Sequence, residues 1–285
     1  MTRIVAITPA RDEAALLPGL ISSMISQSHR PERWIVIDDG SADRTAEIID
    51  SAAKAYPWIE PHHLPRNRPR AAGGESVIMQ FLPASEWQTW DFLLRLDADL
   101  SFAPDFIEKL LIEFQLDPKL GVAGPILLER DGPSWRPIKV PTFHVRGAAK
   151  MYSRQCFSAI GGLQPGLGWD TIDELQAMMF GFHSRHFPHI YAYHHRPQGS
   201  ANSLWRARLA AGRAAYYAGY SPLFLFARAM SHLFTPPRVL GTVAMLIGYF
   251  EGFVKRAPRA ASPELVRFVR RQQLRRLLML ETVWR

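Results

Sequence analysis

Two apolar runs in this sequence end in paired acids: WIVIDDGS carries Asp38 and Asp39, and DFLLRLDADL carries Asp97 and Asp99. Carboxylates set close together repel one another, and a divalent cation relieves the repulsion. In an Asp-x-Asp turn the first carboxylate can accept from sugar or ribose hydroxyls, while the second coordinates Mg²⁺ or Mn²⁺ bridging two phosphates. Such a triplet also occurs as an ordinary surface turn that caps a helix, so its meaning depends on its company. YHHRPQGS offers an imidazole for a metal from His194 or His195, and donors for phosphate from Arg196 and Ser200. If that segment is a strand, adjacent side chains point to opposite faces and only one histidine reaches a common site. His195 is the assignment and His194 the runner-up. In RNRPRAAGGES, Arg68 and Arg70 present guanidinium forks that match phosphate. GLGWDTIDELQ sets Asp170, Asp173 and Glu174 at the start of a helix, where the macrodipole favours anions.

The elements that must carry these residues follow from hydrophobic patterning. RIVAIT (3–8) is a β-rich run, and Glu13 to Gln27 has helical apolar spacing at Leu16, Leu17, Leu20, Ile21 and Met24. WIVI is a strand, and Asp43 caps a helix from Arg44 to Ala55. The Pro-, Gly- and Arg-rich stretch 61–74 is a loop, followed by a helix from Gly74 to Leu82, the strand DFLLRL and a helix over Pro104–Gln115. VAGPILL is a strand, DGPSWRP a turn, Asp173–Gly181 a helix, and HFPHIYAYHHR a strand-like run. This alternation, with almost wholly apolar strands, predicts an α/β fold: a mostly parallel sheet flanked by helices on both faces. Ligands of such a sheet gather at the carboxyl ends of its strands, where the paired acids fall. No GxGxxG follows the first strand, which disfavours a dinucleotide-binding Rossmann domain.

The order TPARDE, VIDDGSADRT, then LLRLDADLSFAPDFI resembles inverting glycosyltransferase family 2, over roughly residues 3–200. That resemblance implies the GT-A, nucleotide-diphosphosugar transferase fold. It implies that Pro9, Ala10, Arg11 and Glu13 line the nucleotide pocket, that Asp39 hydrogen-bonds base or ribose, that Asp97 contacts ribose or sugar, and that Asp99 binds Mn²⁺ or Mg²⁺ on the diphosphate. Inversion needs a general base opposite the leaving group. By resemblance to the family's acidic pair after a Gly-Gly loop, that base is Asp173, with Glu174 the runner-up. Trp169 offers a platform to an acceptor sugar, Asp170 a hold on the acceptor, and His144, Arg146 and Gly147 border the donor sugar. RNRPRAAGGES departs from the family's Asn-x-Gly-x-x-x-Ala pattern. The membrane spans and Gln-x-x-Arg-Trp motif of processive members are absent, which implies a non-processive enzyme. UDP-sugars are the broadest family expectation for the donor, and a saccharide or glycolipid for the acceptor.

With 285 residues, 47% of them hydrophobic, the chain can bury a substantial core. Of its net +8, the excess belongs to the tail, where residues 201–285 hold 14 Lys and Arg against 3 Asp and Glu. The expected organisation is a catalytic domain over 1–203 and a helical, basic segment over 204–285 that serves as a membrane-surface or dimerisation element. The uncharged run Val239–Phe250 is shorter than the about 20 residues that span a bilayer, so the element lies on a membrane or is buried. Arg interleaved with apolar runs, and no nucleic-acid module, favour anionic lipid over nucleic acid. A single cysteine, Cys156, and an N-terminus without a signal-like apolar region lead to an expectation of a cytoplasmic protein at the inner face of the membrane, working in envelope assembly. Rival functions are a non-catalytic carbohydrate-binding or scaffold protein of the same fold, and a nucleotidyltransferase that makes sugar nucleotides. The latter normally carries a Gly-rich basic loop after the first strand, where this chain has the acidic TPARDE.

Overall fold

In the computed structural model, which describes residues 2–66, 75–164, 168–196, 204–231 and 238–284, the first strand β1 (Ile4–Ala10) is buried along nearly its whole length. Its alternate residues feed two cores. Ile4 and Ala6 join Leu20, Trp34 and Leu110 on one face, while Val5 and Ile7 join Ile35, Leu93, Tyr152 and Phe157 on the other. This is the period-2 geometry of a sheet covered on both sides.

Along the chain follow α1 (Leu17–Ile25), β2 (Arg33–Asp38), α2 (Thr45–Ala55), β3 (Ile59–His63), α3 (Glu75–Ile78), a 3₁₀ turn (Ala84–Thr89), β4 (Phe92–Leu96), β5 (Leu100–Phe102) and α4 (Phe106–Leu116). Next come β6 (Leu120–Asp131), β7 (Ser134–Pro137), β8 (Ala149–Ser153), α5 (Arg154–Ile160), α6 (Trp169–Met179) and β9 (His183–His194). Four helices close the chain: α7 (Leu204–Tyr217), α8 (Pro222–Ser231), α9 (Arg238–Val254) and α10 (Pro263–Leu277). The sheet order is β3-β2-β1-β4-β8-β6-β9-β5, with β7 paired to β6. Strands β3, β2, β1 and β4 are mutually parallel, β8 runs against β4 and β6, β6 and β9 are parallel, and β5 runs against β9.

Several elements depart from the sequence expectation for local reasons. The first helix starts at Leu17 and not Glu13, with Pro18 in its first turn, because proline lacks an N–H and fits only there. DGPSWRP closes a hairpin: Gly132 takes φ 60° and Arg130 and Trp135 become cross-strand partners, as Asp-Gly turns favour. The last helix opens on Pro263 and is capped by Ser262, whose Oγ accepts from Leu265 N at 3.2 Å.

The C-terminal helices are joined to the sheet domain through a third core, in which Ile172, Leu175 and Met178 of α6 pack with Tyr220, Leu225, Leu265, Val269 and Trp284. Helices α7 and α9 touch backbone to backbone. A Cβ on Gly212 would lie 2.0 Å from the Met245 carbonyl oxygen, and one on Gly248 would lie 2.1 Å from that of Leu209. Cys156 lies fully buried on the inner face of α5, where a Cβ on Gly121 would stand 2.6 Å from its Sγ. Burial pushes this thiol's pKa up.

Candidate active site

The parallel register brings the ends of β1, β2 and β4 to one edge, with Ala10 beside Asp38 and Ile7 beside Arg95. Asp39 N donates to the Ala10 carbonyl at 2.8 Å, which locks the TPARDE turn to the end of β2. Asp38 turns inward, its Oδ1 accepting from Ser41 N at 3.0 Å. Asp39 is 7% exposed, with Oδ1 lacking a hydrogen-bond partner and Oδ2 lying 3.7 Å from Arg11 Nη1. Asp39 and Arg11 thus meet at the carboxyl ends of β2 and β1.

At the end of β4, Asp97, Asp99 and His194 present ligand atoms within 4.8 Å of one another. His194 Nε2 stands 3.3 Å from Asp99 Oδ2, and its Nδ1 lies 3.3 Å from Glu129 Oε1. Burial disfavours the charged imidazole, but Asp99, Asp97 and Glu129 outweigh it and raise the His194 pKa. The cluster includes the runner-up histidine and leaves out the assigned one. Leu100 of β5 pairs with His194, so the strand turns His194 inward, whereas His195 Nε2 lies 2.8 Å from Ser101 Oγ and its ring meets Trp135 edge-on at 5.3 Å. The donor set fits a divalent cation: two carboxylates and a neutral imidazole are hard-to-borderline ligands, and Asp99 Oδ1 is buried without a hydrogen-bond partner.

Glu13 is 8% exposed and faces this cluster. Burial raises its pKa and Arg196 opposes the rise, while Asp99 and Asp97 add to it. Arg196 grips it with both arms, Nη1 to Oε1 at 2.7 Å and Nη2 to Oε2 at 2.8 Å. The Arg196 fork expected on phosphate is therefore closed on Glu13, tying the end of β9 to the end of β1. Arg68, Arg70 and Ser200 lie outside the described residues.

At the start of α6 the structure differs from the expected assignment of the base. Asp173 is 2% exposed and its carboxylate is saturated. Lys150 Nζ donates to Oδ1 at 3.0 Å and to Oδ2 at 2.9 Å, Glu174 N donates to Oδ1 at 2.7 Å, and the Tyr152 hydroxyl donates to Oδ2. An ionised carboxylate has about four acceptor positions, so none is left for an acceptor hydroxyl. Burial pushes the Asp173 pKa up to about 6 against the pull of Lys150. The runner-up is no freer: Glu174 is fully buried, accepts from Val145 N at 2.7 Å and pairs with His144 Nδ1 at 2.8 Å and Lys150 Nζ at 2.9 Å. Asp170 is the half-buried acid of that turn, and no described side chain pairs with its carboxylate.

Two buried cations tie this turn to the metal-capable cluster, and neither was singled out from the sequence. Arg95 of β4 and Lys150 of β8 are cross-strand partners. Arg95 Nη1 lies 2.7 Å from Asp97 Oδ1 and donates to the Gly147 carbonyl, while Lys150 holds Asp173 and Glu174. Both lie against the Trp169 ring, at 5.1 Å for Arg95 Cζ and 5.4 Å for Lys150 Nζ. Trp169 thus rests on the cations that connect the two halves of the site. Gly147 is required beside it, because a Cβ there would come within 2.8 Å of the indole and 3.2 Å of Asp170 Cβ. The available signal was a charge inside an apolar strand, FLLRL and AAKMYS, since buried cations demand partners.

The sheet order, the acid-bearing strand ends and the helix that follows β8 define a GT-A glycosyltransferase fold. A mannosyltransferase from Pyrobaculum calidifontis, solved in complex with GDP-Man and Mn²⁺, superposes with a TM-score of 0.56 at 15% identity, covering 98% of this chain and 76% of that one. Residues 5–165 match the model of glycosyl transferase family 2, and the chain belongs to that family. Among curated relatives, the probable glycosyltransferase YdaM of Bacillus subtilis is 22% identical over 242 residues, 76% of this chain and 56% of that protein. An undecaprenyl-phosphate 4-deoxy-4-formamido-L-arabinose transferase of Pectobacterium carotovorum is 32% identical over 108 residues, 37% of this chain and 31% of that protein. The chain therefore spans about half or less of the length of these two relatives.

Proposed function

We propose that this protein transfers a sugar from a nucleotide diphosphate donor to an acceptor hydroxyl, with inversion and one sugar per encounter. The observation that carries the reading is the convergence of Asp97, Asp99 and His194 at the carboxyl edge of the sheet, with Asp99 Oδ1 buried and unpartnered. A Mn²⁺ or Mg²⁺ ion held by these three residues supplies charge neutralisation for the departing diphosphate. Asp39 accepts from the nucleoside, Arg11 orients it, and the Glu13–Arg196 pair closes the nucleotide side. Trp169 carries the acceptor ring.

Asp170 takes the acceptor proton in this reading, in place of Asp173. It is the acid of the turn with accessible oxygens, and it stands beside Gly147, whose carbonyl is bound by the same Arg95 that pairs with Asp97. Asp173, Glu174, Lys150 and Tyr152 act as the buried footing that holds this turn in place.

Contact with a membrane belongs to the same proposal. Among the described residues no helix is long and apolar enough to cross a membrane. Leu223, Phe226 and Met230 of α8 and Val239, Leu240, Val243, Ile247, Phe250 and Val254 of α9 are exposed. This surface, in a basic segment, suits the inner face of an anionic membrane, where the acceptor would be a glycolipid or an envelope saccharide. A second copy of the chain is the alternative occupant, read by oligomeric state in solution.

Binding and hydrolysis of UDP-, GDP- and dTDP-sugars with Mn²⁺, in wild type and Asp99→Ala, test the central reading. Metal-dependent turnover of one donor, lost in the variant, is expected. Folded protein that binds no donor would return the weight to a non-catalytic carbohydrate-binding or scaffold role, and pyrophosphorolysis without transfer would favour the nucleotidyltransferase.

A further inference from the structure

The two faces of β6 meet different neighbours. Ala123 and Leu127 point into the core beneath α1 and α4, whereas Val122 points into the core shared with α5 and α6. By alternation Gly124, Ile126, Leu128 and Arg130 belong to the α6 face. Trp169 packs against that same core, so it lies on the same side of the sheet. The segment before β8 covers the first part of this face. A Cβ on Gly124 would stand 2.3 Å from Val145 Cγ1, and the Phe143 and His144 carbonyls accept from Ser184 Oγ at 2.7 Å and His186 Nδ1 at 3.1 Å in β9.

Farther along, β9 sets Tyr191 opposite Ile126 and Tyr193 opposite Leu128, which places both phenol rings on the α6 face. They are 46% and 36% exposed and stand two residues apart, about 6.6 Å along the strand. Trp135 of β7, the cross-strand partner of Arg130, meets Tyr193 edge-on at 4.9 Å and carries the Arg130 guanidinium over its indole at 5.5 Å. Trp135 therefore buttresses Tyr193. Ser101, opposite Tyr193 on β5, and His195 add a hydroxyl and an imidazole at the margin.

Exposed rings with hydrogen-bonding groups around them suit a ligand that has a flat C–H face and a rim of hydroxyls. The electron-rich face of an aromatic ring attracts the slightly positive C–H bonds of a pyranose, and the hydroxyls find partners at the margin. The aliphatic side chains of this part of β6, Ile126 and Leu128, are half-buried, so the face does not form the continuous apolar surface that an acyl chain or a permanent protein partner covers.

We propose that the outer face of β6, β7 and β9 is a glycan-binding surface, in which Tyr191 and Tyr193 each carry one pyranose of an oligosaccharide and Trp135 holds Tyr193 in place. Such a surface is a second binding function, separate from the reacting sugar on Trp169 and on the same side of the sheet. The link to Trp169 rests on the transfer reading; glycan binding itself needs neither donor nor metal.

The test is calorimetric titration of the metal-free full chain with cellohexaose, maltohexaose and chitohexaose, and with glucose and N-acetylglucosamine as single rings. At least one hexasaccharide is expected to bind wild type at least tenfold more tightly than its own monosaccharide. Tyr191→Ala/Tyr193→Ala should weaken that binding about tenfold, the loss of two stacking contacts, while Tyr191→Phe/Tyr193→Phe, which keeps both rings, should stay close to wild type. No binding of any hexasaccharide, equal binding of the monosaccharide, full binding by the alanine pair, or equal loss in the phenylalanine pair would each overturn the assignment. So would sedimentation equilibrium showing a wild-type dimer that the alanine pair dissociates, since the face would then belong to a second copy. Nucleotide-sugar binding with Mn²⁺ on the same samples separates the two proposals: it should be unchanged in the alanine pair, and its absence in wild type would sink the transfer reading while the hexasaccharide titration still reports on the surface.

Discussion

Arg95 and Lys150 sit side by side on neighbouring strands, yet each is neutralised in a different direction, one by Asp97 and the other by Asp173 and Glu174. The two kinds of acid around them should answer mutation differently. Asp170→Asn is expected to lower transfer about 10²–10⁴-fold, the range of a lost general base, with donor binding kept and thermal stability near wild type. Lys150→Met leaves two buried carboxylates without their cation and should destabilise the fold by about 3–5 kcal/mol, read by urea unfolding. Equal loss of stability in both variants would remove the distinction. The pH dependence follows from the same cluster. Burial raises Asp173 to about 6, and for His144 the pull of Glu174 exceeds the opposing effect of burial and raises it above 6.5. Groups with raised folded values bind protons more tightly in the native state. Asp173's contribution to stability is therefore full below the ordinary aspartate range and lost as pH rises through about 6. His144's is full below 6.5 and lost as pH rises through its folded value. In Glu174→Gln, the His144 imidazole should titrate lower by NMR than in wild type; an unchanged titration would refute the pairing.

At the scale of elements, the strands that deliver the acids were legible because they are short, apolar and capped by Asp. β1, β2 and β4 fall where RIVAIT, WIVI and DFLLRL predict. What the sequence could not reveal was register. In β9 both phases carry large side chains, with Ile190 and Ala192 buried and Tyr191 and Tyr193 exposed, so periodicity alone does not choose between His194 and His195. The choice is made by β5, a three-residue strand too short to recognise by pattern, whose Leu100 pairs with His194. Asp173 was expected as the base, with Glu174 the runner-up and Asp170 a hold on the acceptor, and the sequence could not show otherwise for a similar reason: the partner that fills Asp173 is a lysine 23 residues upstream, reached only through the sheet. The helical contact between α7 and α9 makes a separate prediction. Gly248→Ala must push a methyl group into the Leu209 carbonyl, where overpacking costs about 1–3 kcal/mol, whereas Gly19→Ala meets nothing within 4 Å and should be neutral or stabilising. Thermal unfolding of the pair distinguishes them, and equal midpoints would contradict the close approach.

The whole molecule is divided in charge, with nearly balanced residues 1–200 and a basic, partly apolar remainder. Attraction to anionic lipid should fall with ionic strength, since exposed charges are screened beyond about 8 Å at physiological salt, while insertion of an apolar face should not. Flotation with phosphatidylglycerol vesicles is therefore expected to be strong at low salt and reduced, though not abolished, at high salt. Phe226→Ser/Ile247→Ser should remove the salt-resistant part. Flotation unaffected by that double change would argue against the α8–α9 surface as the contact. The helices are also bound to the sheet half by the core that joins α6 to Tyr220, Leu265 and Trp284, so a displacement of those helices would be coupled to the turn bearing Asp170.

Cys156 supplies a built-in gauge of that coupling. It is the single thiol of the chain, sealed on the inner face of α5 in the core cluster that includes Tyr152 and Ala177, and its burial keeps the reactive thiolate scarce. A maleimide or disulfide reagent has no access to it in the closed protein, so every modification event records an opening of that core. When reclosing outpaces modification, the ratio of the modification rate in native buffer to that in urea gives the opening equilibrium directly. Donor, metal or vesicles can each be added to the same labelling reaction, and a slower reaction reports how much each of them holds the molecule shut.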